Sequence, residues 1–234
     1  AIAARTSTIR LGHLVTCDPF RHPAVLAKMA ATLDVISEGR LDLGIGWGSV
    51  EAELRAFGVT ADAPARRAAR LRESLLVMRR MFGGERFDFD GDFFVLRDAI
   101  GRPVPLQQPL PIHIGGGGER LTMPLVREFA HSWNCPSYAV ERFAELRELA
   151  APARVTMQRP IGLAPTAAAR EDVAELAGRR FGAWGGLVTG TADEVAMVLR
   201  DDVARGVEGF ILQFHDFGTP ATLELFMRDV APAV

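Results

Sequence analysis

Pro111-Ile-His-Ile-Gly-Gly-Gly-Gly-Glu119 reads as a short β-strand that runs into four consecutive glycines and then into a helix. Ile112 and Ile114 alternate with His113 at the period of a strand. Glycines break both strands and helices, so Gly115–Gly118 marks the turn between the two. Arg40-Leu-Asp-Leu-Gly-Ile-Gly46, continuing into Trp47 and Gly48, has the same form. Strand, glycine turn and helix in repeated succession point to a parallel sheet with helices outside it.

Working outward, the same alternation covers most of the chain. Ile9–Thr16 is a β-rich run, followed by a polar loop and by Pro23, which suits the first position of a helix because its missing N–H would be unpaired there anyway. Val25, Leu26, Met29, Ala30, Leu33 and Ile36 recur at helical spacing, with Gly39 as a C-cap. Helices are expected at Glu51–Phe57 and over 65–82, the second with Leu71, Leu75, Met78 and Phe82 on one face. Residues 83–110 break the rhythm and read as an insertion with a hairpin turning at Asp90-Gly91. Beyond the quoted strand come a helix through Ala130, a strand at Ser132-Trp133-Asn134, a helix at Val140–Ala150, a strand at Val155–Ala164 and a helix at Arg170–Phe181. Trp184–Val188 reads as loop. Thr191 and Glu194 form a capping box for Ala192–Arg205, a last strand covers Gly209–Phe214, and a terminal helix covers Pro220–Val230.

Composition bounds the possibilities. The 234 residues are 48% apolar and 24% charged, which is globular composition and excludes a disordered chain. Lysine and arginine number 27 against 29 acidic residues, so no basic surface points to nucleic acid. Lys28 stands alone among arginines, a pattern that GC-rich coding produces. No apolar run approaches the roughly 18 residues of a membrane span. Cys17 and Cys135 form no CxxC, and a reduced cytoplasmic protein is the expectation. Ala1–Ala4 reads as the end of a helix, with no signal-peptide pattern before it.

On the two glycine-rich stretches the chain resembles the bacterial luciferase-like superfamily, flavin- and F420-dependent oxidoreductases built on a TIM barrel. His22–Asp34, Phe93-Phe94, Ser132–Asn134, Gly190–Val195 and Gly209–Gln213 add to the resemblance in the same order. It implies a single (β/α)8 domain over 1–234 that lacks the first two βα units, with the insertion at about 83–110. It also implies F420 or FMN as cofactor, hydride transfer or monooxygenation of a small organic substrate, and a homodimer. A non-catalytic, cofactor-binding remnant of such a barrel is the alternative, because the first two βα units supply residues around the reacting ring in many relatives. With two strands absent, the edges at Ile9–Val15 and Gly209–Phe214 are expected to be unpaired or covered by something else.

Gly115, Gly116, Gly117 and Gly118, with Glu119 and Arg120, are the strongest candidate site. Glycines let backbone N–H groups approach an anion, and a helix start adds its positive dipole end. The resemblance assigns this loop to the cofactor phosphate; a tight βα turn is the other reading. Trp47, Gly48 and Ser49 follow a strand end, where a barrel places its active-site face. The pattern lacks the spacing of a dinucleotide fingerprint. Ser49 stands where F420-dependent relatives often carry Glu. The resemblance also implies a non-proline cis peptide at Leu14–Val15, against the cofactor ring. Asp18 and His22 could pair as acid and base, but loop hydrogen bonding and capping explain them more simply, and Cys17 reads as a buried thiol. His113, His131 and His215 lack metal-ligand spacing, and no residue is assigned a catalytic role.

Overall fold

The computed structural model describes residues 1–234, whose contacts fall into two units, Ala1–Ser132 and Trp133–Val234. The first unit opens with α1 (Ile2–Arg5), β1 (Leu11–Gly12), β2 (Thr16–Cys17), α2 (Pro23–Ile36) and β3 (Leu41–Gly46). It continues with α3 (Glu51–Ala56), α4 (Pro64–Gly83), the pair β4 (Phe87–Asp90) and β5 (Val95–Ala99), then β6 (Ile112–Gly115) and α5 (Thr122–Phe129). Both β1 and β2 pair in parallel with β3, and β3 pairs in parallel with β6. Leu41, Leu43, Ile45 and Ile114 are buried, together with Leu26, Ala27 and Ala30 of α2 and Leu71, Leu75 and Met78 of α4. This apolar core accounts for the alternation that the sequence shows in β3 and β6.

The β-rich run at Ile9–Thr16 is not one strand. Residues 13–15 leave the ladder because the His13 carbonyl presses against Gly44, at a point where any Cβ on that glycine would collide with it. Pro23 opens α2 as expected, and the His22 ring accepts from Ala24 N. The helix ends at Ser37, and Gly39, two residues on, has φ +80 and donates its N–H to Asp34 O.

The expected hairpin is present. β4 and β5 pair antiparallel, and Gly91 N donates to Phe94 O across the turn. One side chain of α4 fastens it. Glu73 Oε1 accepts from Asp92 N at 2.8 Å, and Oε2 accepts from Phe93 N and Phe94 N at 3.0 and 3.3 Å.

The second unit begins in β7 (Ser132–Cys135) and contains α6 (Phe143–Ala150), β8 (Arg154–Leu163), α7 (Arg170–Phe181), β9 (Val188–Gly190), α8 (Ala192–Ala204), β10 (Phe210–Phe214) and α9 (Pro220–Leu225). β8 pairs in parallel with β10 along one side and with β9 at its end. Ile161, Leu163, Val188, Val195, Leu199, Phe214 and Val230 form one buried cluster between these strands and α8. The Thr191–Glu194 capping box is formed, with Glu194 Oε2 accepting from Thr191 N at 2.8 Å.

Three sequence readings change here. Val188, read as the end of a loop, instead opens the strand Val188–Gly190, which pairs with Ile161–Leu163; a three-residue strand is too short to show a period. The helix expected from Val140 starts as a 3-10 turn over Ser137–Arg142. The terminal helix widens into a π turn at Phe226–Val230, which places Val230 in the cluster. No helix of the protein is long and apolar enough to cross a membrane.

Candidate cofactor site in the first unit

Strand register brings the candidate residues to one edge. Cys17 lies opposite Gly46, and Ile45 lies opposite Ile114, so Gly46 and Gly115 come next on neighbouring strands. The C-terminal ends of β2, β3 and β6 therefore finish side by side. The Leu14–Val15 peptide is cis, as the resemblance implies. Val15 lies over β3, where a Cβ on Gly46 would stand 2.9 Å from Val15 Cγ2. Only glycine at 44 and 46 lets the 13–15 segment lie so close to the strand.

The loop Gly115–Gly118 leads from β6 to α5. Gly116 has φ +134, a conformation that side chains rarely adopt, and a Cβ there would meet Thr122 Cγ2 at 3.2 Å. The Thr122 and Met123 N–H groups both donate to Gly118 O, so the helical turn begins just after the glycines. Gly115, Gly116 and Gly117 are half-buried, while Gly118, Glu119 and Arg120 are exposed. The Trp47 indole Nε1 donates to Thr122 Oγ1 at 3.4 Å, which ties the β3 strand end to the glycine loop.

α4 holds this edge from behind. Arg67, with only 5% of its side chain exposed, donates to Gly48 O at 2.8 Å and to Glu51 Oε1 at 3.1 Å. Its guanidinium also lies over the Trp47 ring, 5.1 Å from the centroid. One turn later, Arg70 is bound to Asp18, in the short turn that follows β2. Asp18 is buried, and burial raises its carboxyl above the ordinary range although Arg70 works against the shift. Burial also raises the Cys17 thiol, with the Asp18 charge adding to it. The Cys17 thiol is therefore not activated as a thiolate nucleophile. Asp18 does not pair with His22, whose ring caps α2 and packs edge-on against Phe94.

Three other histidines lie away from these contacts. His113 Nε2 lies 3.4 Å from Asp42 Oδ1, and burial lowers the proton affinity of His131. His215, at the end of β10, is buried, and its Nδ1 has no hydrogen-bond partner. Of the sequence candidates, Val15, Trp47, Gly48, Gly115, Gly116 and Gly118 thus share one set of strand ends. Leu14 and Ser49 stand exposed beside them. Sequence reasoning missed Arg67, Arg70 and Thr122. The signal for Arg67 was available: it falls four residues before Leu71 on the apolar stripe of α4, and an arginine on a buried stripe needs buried partners.

The pattern that describes the luciferase-like monooxygenase family matches residues 1–206. The chain belongs to that family. Among curated relatives, an F420-dependent glucose-6-phosphate dehydrogenase from Kineococcus radiotolerans is 39% identical over 122 residues, which are 52% of this chain and 36% of that protein. The enzyme of the same name from Mycobacterium avium is 39% identical over 133 residues, 56% of this chain and 38% of its own length. These matches span well under half of the relatives' lengths. Among solved structures, a monooxygenase from Streptomyces bottropensis superposes with a TM-score of 0.80 at 24% identity, covering 98% of this chain and 80% of that one. An F420-dependent secondary alcohol dehydrogenase, in complex with an F420-acetone adduct, gives 0.79 at 19% identity, covering 99% and 81%. At these identities the likeness is one of fold, and nearly the whole chain shares it.

Proposed function

We propose that this chain forms the cofactor-binding portion of an F420-dependent oxidoreductase on a (β/α)8 frame acting on a small organic substrate, with FMN as the other cofactor to test. The observation that carries this reading is the common edge where β2, β3 and β6 end in Cys17, Gly46 and Gly115 beside the Gly115–Gly118 loop. The family's F420-dependent dehydrogenases support the choice of cofactor.

The residues present fit a phosphate-bearing cofactor. A side chain at 116 or 118 would press on Thr122 and crowd the loop, so the glycines keep its backbone accessible. The backbone of the Gly115–Gly118 loop would hold the phosphate, with exposed Arg120 adding positive charge. Leu14 and Val15 would lie against the ring, and Trp47, Gly48 and Ser49 would form a neighbouring wall. The bound ring supplies the hydride or activates dioxygen, and the protein binds it, orients it and keeps water away. Val25, Met29 and Ile36, exposed on one side of α2, support self-association as a homodimer.

Titration of the chain with F420 and with FMN, followed by cofactor fluorescence, tests the proposal. Saturable binding of F420 is the expected result. Binding of FMN alone would reassign the cofactor, and binding of neither would overturn the reading.

A further inference from the structure

We propose that Arg67 is the positioning residue of the cofactor loop, acting through Trp47 and Thr122 without touching the cofactor itself. The inference rests on the cofactor reading above. Three contacts converge on this buried guanidinium: the Gly48 carbonyl at 2.8 Å, the Glu51 carboxylate at 3.1 Å and the face of the Trp47 indole at 5.1 Å. With the face of the ring held by a planar cation and the adjoining backbone held at Gly48, the indole is oriented so that its Nε1–H reaches Thr122 Oγ1 at 3.4 Å. Thr122 is in turn the side chain against which Gly116 and Gly118 are packed, with only 3.2 Å and 3.1 Å available to a Cβ at those positions. A shift of the indole is therefore passed to the loop that would bind the phosphate. Lysine could supply the charge, but it has neither the planar face for stacking nor the fork for two acceptors.

This role differs from a merely structural one in which part of the cofactor it affects. If Arg67 sets the phosphate loop, its loss weakens phosphate-bearing ligands and leaves the ring contacts intact. If it only stabilises the fold, all ligands weaken together. The test compares the parent chain with Arg67→Met, Arg67→Lys and Trp47→Phe. Affinities are measured for F420 against its phosphate-free deazaflavin core, and for FMN against riboflavin.

The parent should prefer the phosphate-bearing member of the pair that it binds. Arg67→Met should cut that preference about tenfold, Arg67→Lys should restore part of it, and Trp47→Phe should cut it to a similar degree. In the ligand-free protein, the Trp47 indole N–H resonance, assigned by its absence in Trp47→Phe, should move in Arg67→Met while those of Trp133 and Trp184 stay in place. If Arg67→Met does not fold, the lysine and phenylalanine variants carry the same comparison. An unchanged preference in folded variants, or an unmoved Trp47 resonance, overturns the proposal while the cofactor reading stands. A parent that binds none of the four ligands overturns both.

Discussion

Arg159 and Asp202 face each other in a buried bidentate ion pair, with Nε and Nη2 each 2.8 Å from a carboxylate oxygen and side chains only 8% and 2% exposed. The pair joins β8 to α8, and the remaining Arg159 nitrogen, Nη1, donates to Gly186 O at 3.1 Å. Removing one partner of such a pair leaves a charge without compensation in an apolar setting. Asp202→Ala should lower stability by about 3–5 kcal/mol, and the double variant Arg159→Met with Asp202→Leu should recover most of that loss. Chemical denaturation of both variants beside the parent checks this; a loss under about 1 kcal/mol in Asp202→Ala would contradict it.

The glycine loop gives two separable predictions. Gly116→Ala places a Cβ at φ +134 against Thr122 and should cost about 1–3 kcal/mol of stability. Gly117→Asp brings a negative charge to the proposed phosphate site and should weaken cofactor binding about 30- to 150-fold, or roughly 2–3 kcal/mol. Melting temperature and cofactor affinity should be measured for both variants. If Gly117→Asp folds and binds as well as the parent, the glycines form only a turn.

Glu73 fixes the hairpin through three main-chain N–H groups. Glu73→Ala should leave α4 formed but release the turn, at a cost of about 1.5–3 kcal/mol. Hydrogen exchange at Asp92, Phe93 and Phe94 should accelerate well beyond that of the α4 amides. Equal protection in both proteins would show that the carboxylate is dispensable.

Asp42 supplies an acid-sensitive part of the stability. Burial alone would raise its carboxyl, but hydrogen bonds from Arg10 and His113 outweigh that and hold it well below the usual carboxylate range. A depressed folded-state value means that the unfolded chain takes up the proton first. The contribution is complete above about pH 4 and is lost as pH falls from there towards the folded-state value. Solvent reaches part of the pair, so the contribution is about 1 kcal/mol. Asp42→Asn should therefore lower stability at pH 6 and flatten its decline between about pH 4 and pH 2. An acid limb as steep as the parent's would refute the assignment.

Both thiols should be slow to react. Burial pushes the Cys135 thiol up to about 12 and raises that of Cys17. Alkylation by iodoacetamide at pH 8 should lag far behind that of a free thiol and reach both sites only on unfolding. Rapid modification of Cys17 in the folded protein would reopen it as a reactive group.

The sequence was most informative where the period was long and the punctuation chemical. α2, α4 and α8 show clear helical spacing together with Pro23, Thr191 or a terminal glycine, and their bounds follow. The strand ends at Gly46 and Gly115 were legible because glycine runs interrupt an alternating pattern. β9 was not, since its existence depends on a partner strand 27 positions away rather than on its own residues. The break in the first strand was hidden for a similar reason. Nothing in His13-Leu14-Val15 shows that Gly44 will admit the His13 carbonyl. Site residues divide in the same way, because the backbone features announce themselves through glycine whereas Arg67 and Thr122 matter only through neighbours that are distant in sequence.

Two side chains of α4 take hold of main chain. Arg67 takes the Gly48 carbonyl, and Glu73 takes the N–H groups of Asp92, Phe93 and Phe94. A main-chain group is present whatever residue carries it, apart from the N–H that proline lacks. The side chains at 92 and 93 can therefore be exchanged while the path of the turn is kept, and the same holds for Ser49 and Val50 just beyond the Gly48 anchor. In this protein the frame and the lettering are separable at these turns, so libraries that vary those four positions should return folded variants far more often than libraries that vary Arg67 or Glu73.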